Sequence, residues 1–329
     1  MKTLTSSLAV VVCLSLMFNM QAFATIWRVD NNTANISDFT TLQAAHDGAQ
    51  ANDTLYVYGS PIDYGDCTLT KTLYIFGTGY FLTENPETQA NPLSAICSNI
   101  TFNEGSEGSV LSGMVTDAIV IATNQVVVKR NKTLSIGVGN SNSSIPASNL
   151  IIQQNYIEGD IGFVNNSTNI IIHNNVLQAS NALFSSILMA ANTSADIRNN
   201  IIVGVATVYN SIFYNNISTS SSFNGTNTDV KNNIATTSIY GTSNGNQELV
   251  DISTVFELTG SPDGMYLLKD SSPASGAGFG GVDCGIFGGT EPYVLSGLPA
   301  LPAIWFLDVP TSGSTSEGLP IHIKAKTHN

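Results

Sequence analysis

The sequence predicts an all-β chain wound as a parallel β-helix solenoid. A short unit recurs as NLIIQQNYIEG (149–159), NIIIHNNVLQA (169–179), ADIRNNIIVG (195–204), SIFYNNISTS (211–220) and TDVKNNIATT (228–237), with a weaker copy, QVVVKRNKTL, at 125–134. Aligned on the second asparagine, the copies place Asn131, Asn155, Asn175, Asn200, Asn216 and Asn233 at intervals of 24, 20, 25, 16 and 17 residues. Repeats of about 20 to 30 residues mean a solenoid, because no unit can bury its apolar face without the next. Units this rich in β-branched residues and asparagine do not form helix pairs, and the fixed leucine pattern of leucine-rich repeats is absent. Short strands stacked about 4.8 Å apart, joined by polar turns, remain.

The asparagines need a reason, since a helix would not hold them between apolar runs. At a bend between strands, asparagine tolerates left-handed backbone, and its amide can bond the asparagine one coil above and below. The six aligned asparagines therefore form a ladder at a corner, and the isoleucines beside them form the core. Unequal spacing follows, because one turn per coil can lengthen without breaking the stack.

The first coils fit the same scheme. Ile26-Trp27-Arg28-Val29 reads as a first strand, and Thr54-Leu55-Tyr56-Val57-Tyr58 as another. Between them, Phe39 to Ala45 is an amphipathic segment, with Asp38 as its N-cap. A short N-terminal helix is expected there as a lid on the open core, which would otherwise expose apolar side chains and strand edges. Residues 1–24 read as a secretory signal, with Lys2, an apolar run and Ala22-Phe23-Ala24 before the cleavage point. Secretion or surface display is the corresponding expectation. No later segment is apolar for long enough to span a bilayer.

Loss of Lys2 with the signal takes the net charge from −13 to −14. Phosphate binding wants a basic surface, so nucleic acid is excluded as a partner. A surface of Asn, Ser, Thr and Gly suits sugars, and it equally suits a secreted β protein with no ligand. Cys67, Cys97 and Cys284 remain, an odd number with no C-x-x-C pair. They read as small buried residues, with a single Cys67–Cys97 bridge as the alternative.

At these repeats the chain resembles the right-handed parallel β-helix proteins of the pectate-lyase-like superfamily, over roughly Ile26 to Thr290. YLLKDSSPASGAGFGGVDCGIFGG (266–289) is similar to the closing coil of many bacterial β-helix proteins, through Ser272-Pro273-Ala274 and Asp283-Cys284-Gly285-Ile286-Phe287-Gly288. The resemblance implies a β-helix domain over 25–290. It also sets out what activity would require: an Arg or Lys base with calcium for a lyase, or paired aspartates for a hydrolase. Asp160, Asp196 and Asp229 come one to a coil, and the rungs are read as carrying none of the triplet Asn-Thr-Asp, the pair Asp-Asp or the triplet Gly-His-Asp. Asp63-Tyr64-Gly65-Asp66 is too small a cluster for calcium by itself. No cofactor and no metal site are expected, calcium entering only if the chain is a lyase.

The expected function is therefore non-catalytic contact with polysaccharide or cell-envelope material. A polysaccharide lyase or hydrolase is one alternative, and a structural or adhesive surface protein another. The residue before each paired position gives the column Lys129, Gln153, His173, Arg198, Tyr214 and Lys231. Period-two alternation turns Ile172 inward and His173 outward, so the column should line one outer face. It is the candidate binding groove for an acidic polysaccharide, with Tyr214 as a stacking platform; a merely solvated outer face is the plainer account. Residues 291–329 have lost the asparagine pattern. Two strands, Ala303 to Val309 and Leu319 to Lys324, are expected there around a Ser/Gly-rich loop, as a cap on the far end or a docking extension.

Overall fold

The structure is a computed structural model that describes residues 24–139, 146–164, 166–179, 184–220, 222–316 and 318–328. The segment read as a signal, up to residue 23, lies outside the described residues. No helix among them is long and apolar enough to cross a membrane.

The chain is an all-β parallel solenoid. One sheet takes a single strand from each of ten successive coils, from Ile26–Val29 to Asp229–Lys231, each paired in parallel with the next. Alternation sorts its side chains. Leu55, Ile75, Leu111, Val128, Ile152, Ile172, Ile197 and Phe213 stack residue on residue, fully buried inside. Burying each is worth roughly 1.5–3 kcal/mol, so this row supplies much of the stability of the stack. The opposite sheet starts with long strands, Ala95–Phe102 and Met114–Ile121. At Lys132–Val138 it forks, because both Tyr156–Ile157 and Ile161–Phe163 pair with that one strand. Later coils thus carry three strands where earlier ones carry two.

The corner holds the asparagine ladder. Each backbone N–H and each side-chain Nδ2 donates to Oδ1 of the next asparagine, as Asn155 does to Asn175 at 3.0 Å for both bonds. The bonding runs unbroken from Asn131 to Asn233 and then to a seventh rung, Asn246, at 2.9 Å. The left-handed backbone is not carried by these residues. It falls one position earlier, on Arg130, Gln154, Asn174, Asn199, Asn215 and Asn232, with φ between 51° and 57°. The paired asparagines split two tasks, and Arg130 and Gln154 show that the bend tolerates other residues.

A second bend precedes five of the later strands of the ten-stranded sheet. There Gln125, Asn149, Asn169, Asn210 and Asn227 also have positive φ, and the amides of Asn227 and Asn210 bond at 2.8 Å. Gln125 is exposed and lacks the short side chain that suits this conformation. Gln125→Asn is expected to stabilise the protein by about 0.5–1 kcal/mol, read as a higher urea midpoint at unchanged slope; a lower midpoint would contradict this account of the bend.

The N-terminal helix is present at Leu42–Gly48 and buries Leu42, Ala45 and His46 against the first coils. Its N-cap is Thr41, not Asp38, whose carboxylate instead pairs with Arg28 at 3.3 Å. The far end is closed by Phe213, Phe223 and Tyr240, with ring centroids 4.8–5.6 Å apart, and not by the tail. The tail is an antiparallel hairpin, Pro302–Asp308 with His322–Thr327. It lies beside the early coils, where Ala90 N–H donates to Ile304 O at 2.8 Å and Lys326 pairs with Glu87 at 2.8 Å.

The segment expected to form a closing coil does something else. It runs back along the corner, one coil at a time, held by the residues with left-handed backbone. Asn232 Nδ2 donates to Ala277 O at 3.0 Å, and Asn215 Oδ1 accepts from Phe279 N–H at 2.7 Å. Asn199 Nδ2 reaches Asp283 O at 3.0 Å, Asn174 Nδ2 reaches Ile286 O at 2.6 Å, and Gln154 Nε2 reaches Pro292 O at 2.6 Å. Arg130 Nη1 completes the series at Leu298 O, 2.9 Å. Close approach explains a glycine here: a side chain at Gly285 (φ +83°) would meet Ile217 Cδ1 at 2.8 Å.

This strap covers a second apolar core outside the solenoid. Tyr156, Val176, Ile201, Ile217 and Ile234 stack in register and point away from the first core, under Cys284, Ile286 and Tyr293. Its far end is tied by a buried polar cluster. The Asp263 carboxylate accepts from Asn85 Nδ2 at 2.9 Å, Ser261 Oγ at 2.8 Å and Ser296 N–H at 2.7 Å. Beside it the Tyr80 and Tyr293 hydroxyls are 2.6 Å apart, and burial pushes both phenols far up.

Candidate functional site

Lys129, Gln153, His173, Arg198, Tyr214 and Lys231 are brought into one row, each paired with the next across adjacent strands. The same row continues upward through Ser112, Phe76, Tyr56 and Arg28. Those four escaped the sequence pattern because their coils have no paired asparagine to align on.

The row is not open along its length. Gln153 and His173 are buried beside the strap, with His173 Nε2 2.8 Å from the Gln153 side-chain amide. His173 Nδ1 lies 2.7 Å from Asn174 Oδ1, and Nε2 lies 3.5 Å from the Glu291 carboxylate. Burial lowers the His173 pKa, favouring the neutral ring. The expectation of a continuous outer face therefore fails at its centre. Alternation did turn His173 out of the first core, but the chain's own strap occupies the space outside.

Nor is the row a bare cationic stripe. Arg198 pairs with Asp196 at 2.7 Å and Lys231 with Asp229 at 2.7 Å, each acid two residues earlier on the same side of its strand. Burial acts to lower the Arg198 pKa, but the hydrogen bond and charge of Asp196, together with Tyr214, outweigh it and hold the pKa above its ordinary value. Contrary to the reading of the rungs, one Asn-Thr-Asp triplet is present: Asn227-Thr228-Asp229 enters the last strand of the sheet, where its carboxylate is engaged by Lys231. Lys129 is half-buried, and burial followed by the charge of Arg130 lowers its pKa. A groove matched to a polyanion is not what these pairs make.

The C-terminal end of the row remains accessible. Tyr214 and Lys231 are joined there by Phe279, which sequence reasoning passed over as part of a glycine-rich turn. Phe279 is 59% exposed although its backbone is fixed by Asn215. Its ring stands edge-to-face with Tyr214 at 6.3 Å, and Lys231 Nζ lies 5.0 Å from its centroid. An exposed aromatic face with a hydroxyl, an ammonium and a carboxylate beside it can stack on a sugar ring and bond its hydroxyls.

The three cysteines are free thiols, all buried. Burial pushes the thiols of Cys67 and Cys284 up to about 12. Among the described residues no group of three or more His, Cys, Asp or Glu is placed to hold a metal ion. No family model, no curated protein and no solved structure matches this chain.

Proposed function

We propose that this chain is an exported, non-catalytic right-handed β-helix protein of the pectate-lyase-like kind that contacts polysaccharide or other cell-envelope carbohydrate through one outer face. The observation that carries the reading is the platform of Phe279, Tyr214 and Lys231, an aromatic surface presented to solvent. The stacked parallel strands and the asparagine ladder support the choice of superfamily. The internal pairing of Arg198 and Lys231, on a chain of net charge −13, favours neutral over acidic polymers.

The test is a pull-down of the mature protein on neutral and acidic polysaccharides. Reducing ends and unsaturated-product absorbance are followed in the same tubes. Binding to a neutral polymer without product is expected, weakened about tenfold or more by Phe279→Ala. Product formation would replace this reading by the lyase or hydrolase alternative. Binding that ignores Phe279→Ala would remove the platform. Absence of binding would leave the adhesive reading, which the exposed apolar side chains of Phe306, Leu307, Ile321 and Ile323 on the tail hairpin favour.

A further inference from the structure

A second open region lies at the other end of the same face, beyond the strap. The early coils and the tail hairpin enclose a cleft of about 590 Å³, a size typical of small-molecule sites. Tyr56, Tyr58, Gln89 and Asn91 line it from the solenoid side, and Ile304 and Leu307 from the hairpin.

Its chemistry is specific in three respects. Tyr56 and Tyr58 are two residues apart on one side of the chain, with centroids 5.1 Å apart and planes at 80°. They offer two aromatic surfaces at right angles, each ending in a hydroxyl. The amides are pre-set. Gln89 Nε2 donates to Thr78 O at 2.8 Å, which leaves Oε1 as an acceptor. Asn91 Oδ1 accepts from Leu93 N–H at 3.3 Å, which leaves Nδ2 as a donor. No Asp, Glu, Lys, Arg or His is among the lining residues. The two walls are fastened by the Ala90–Ile304 bond and the Glu87–Lys326 pair, so the cleft is formed before any ligand arrives.

We propose that this cleft binds a short neutral oligosaccharide, with a ring stacked on Tyr58 and hydroxyls bonded to Gln89 Oε1 and Asn91 Nδ2. An ionic ligand would be stripped of water with no opposite charge to meet it. A purely apolar ligand would leave both fixed amides unpaired. The inference shares its ligand class with the proposed function but uses different residues, so either can fail alone.

The experiment is calorimetric titration of the mature protein with short neutral oligosaccharides of glucose, xylose, mannose and galactose, up to millimolar concentration. Wild type is compared with Phe279→Ala and with that variant carrying Tyr58→Ala or Gln89→Ala. With the platform removed by Phe279→Ala, one sugar series is still expected to bind, and adding Tyr58→Ala or Gln89→Ala to that variant is expected to reduce the affinity at least about tenfold. Unchanged melting temperatures would show that the double variants still fold. If Tyr58→Ala lowers the melting temperature, Tyr58→Phe in the same background, which keeps the stacking surface, is expected to bind within a few-fold of Phe279→Ala. No heat from any series would overturn the proposal, and so would binding indifferent to Tyr58 and Gln89. Loss of binding in Phe279→Ala alone would move the sugar site to the platform and likewise overturn it.

Discussion

Asn175→Ala is expected to destabilise the protein by roughly 4–6 kcal/mol, among the largest effects of any single substitution. The side chain has 0% exposure and takes part in five hydrogen bonds. Its Oδ1 accepts from the backbone N–H and Nδ2 of Asn155, while its Nδ2 donates to Asn200 Oδ1, Ile152 O and His173 O. Alanine leaves these partners inside a dry corner, where each orphaned group costs about 1–3 kcal/mol. No water enters to replace the amide unless the coils part. Asn246→Ala is the control. It removes the last rung, which is 6% exposed, and should cost about 1–2 kcal/mol because solvent can reach the vacated positions. Urea midpoints at unchanged slope provide the measurement. Equal, small losses at both positions would show that the ladder contributes no more than ordinary turn bonds.

The second large effect concerns the strap. Ile201 is fully buried but faces outward, under Gly285, whereas its neighbour Ile202 faces the first core. Ile201→Asp places a carboxylate between sheet and strap with no cation opposite. Loss of the apolar burial and the unpaired charge together are worth about 3–5 kcal/mol, more than the local strap bonds can hold. The strap is expected to lift from Asn199 and Asn174 while the coils stay stacked. Limited proteolysis should then cut within residues 276–290, where the wild type is expected to resist, and the β-sheet circular dichroism should persist. Unchanged resistance in that segment would mean that the strap is held mainly by its anchors at Asp263 and Arg130. Wholesale loss of sheet signal would mean that the two cores cannot separate.

The repeat made the solenoid legible because a stacked corner demands the same residue in every coil. That is why Asn131 to Asn233 could be aligned and why the outward row could be paired without coordinates. Asn246 escaped notice because its rung, Ser243-Asn244-Gly245-Asn246, has no strand before it to complete the motif. The strap was missed for a different reason. Its bonds go through backbone carbonyls, and carbonyls leave no mark on sequence. One signal was nevertheless present. After three of the four paired asparagines of the ladder come two apolar residues, in Asn174-Asn175-Val176-Leu177, Asn199-Asn200-Ile201-Ile202 and Asn232-Asn233-Ile234-Ala235. A strand with one wet face would have alternated, so two consecutive apolar positions require cover on both sides. The same unseen cover explains why His173 and Gln153 were placed in solvent. Their direction was read correctly from period two, but the occupant of that space lies more than 100 residues further along the chain.

The strap also changes how the whole molecule holds together. A plain solenoid joins each coil only to its neighbours, so it can fray from either end and lose coils singly. Here one continuous segment ties Asn232, near the last coil, to Arg130 and, through Tyr293, to Tyr80, 213 residues earlier. Coils that never touch become coupled through a common tether, and opening the middle strains both ends. Unfolding should accordingly approach a single all-or-none transition. Folding inherits the corresponding delay, since the tether can dock only after every coil beneath it is in register.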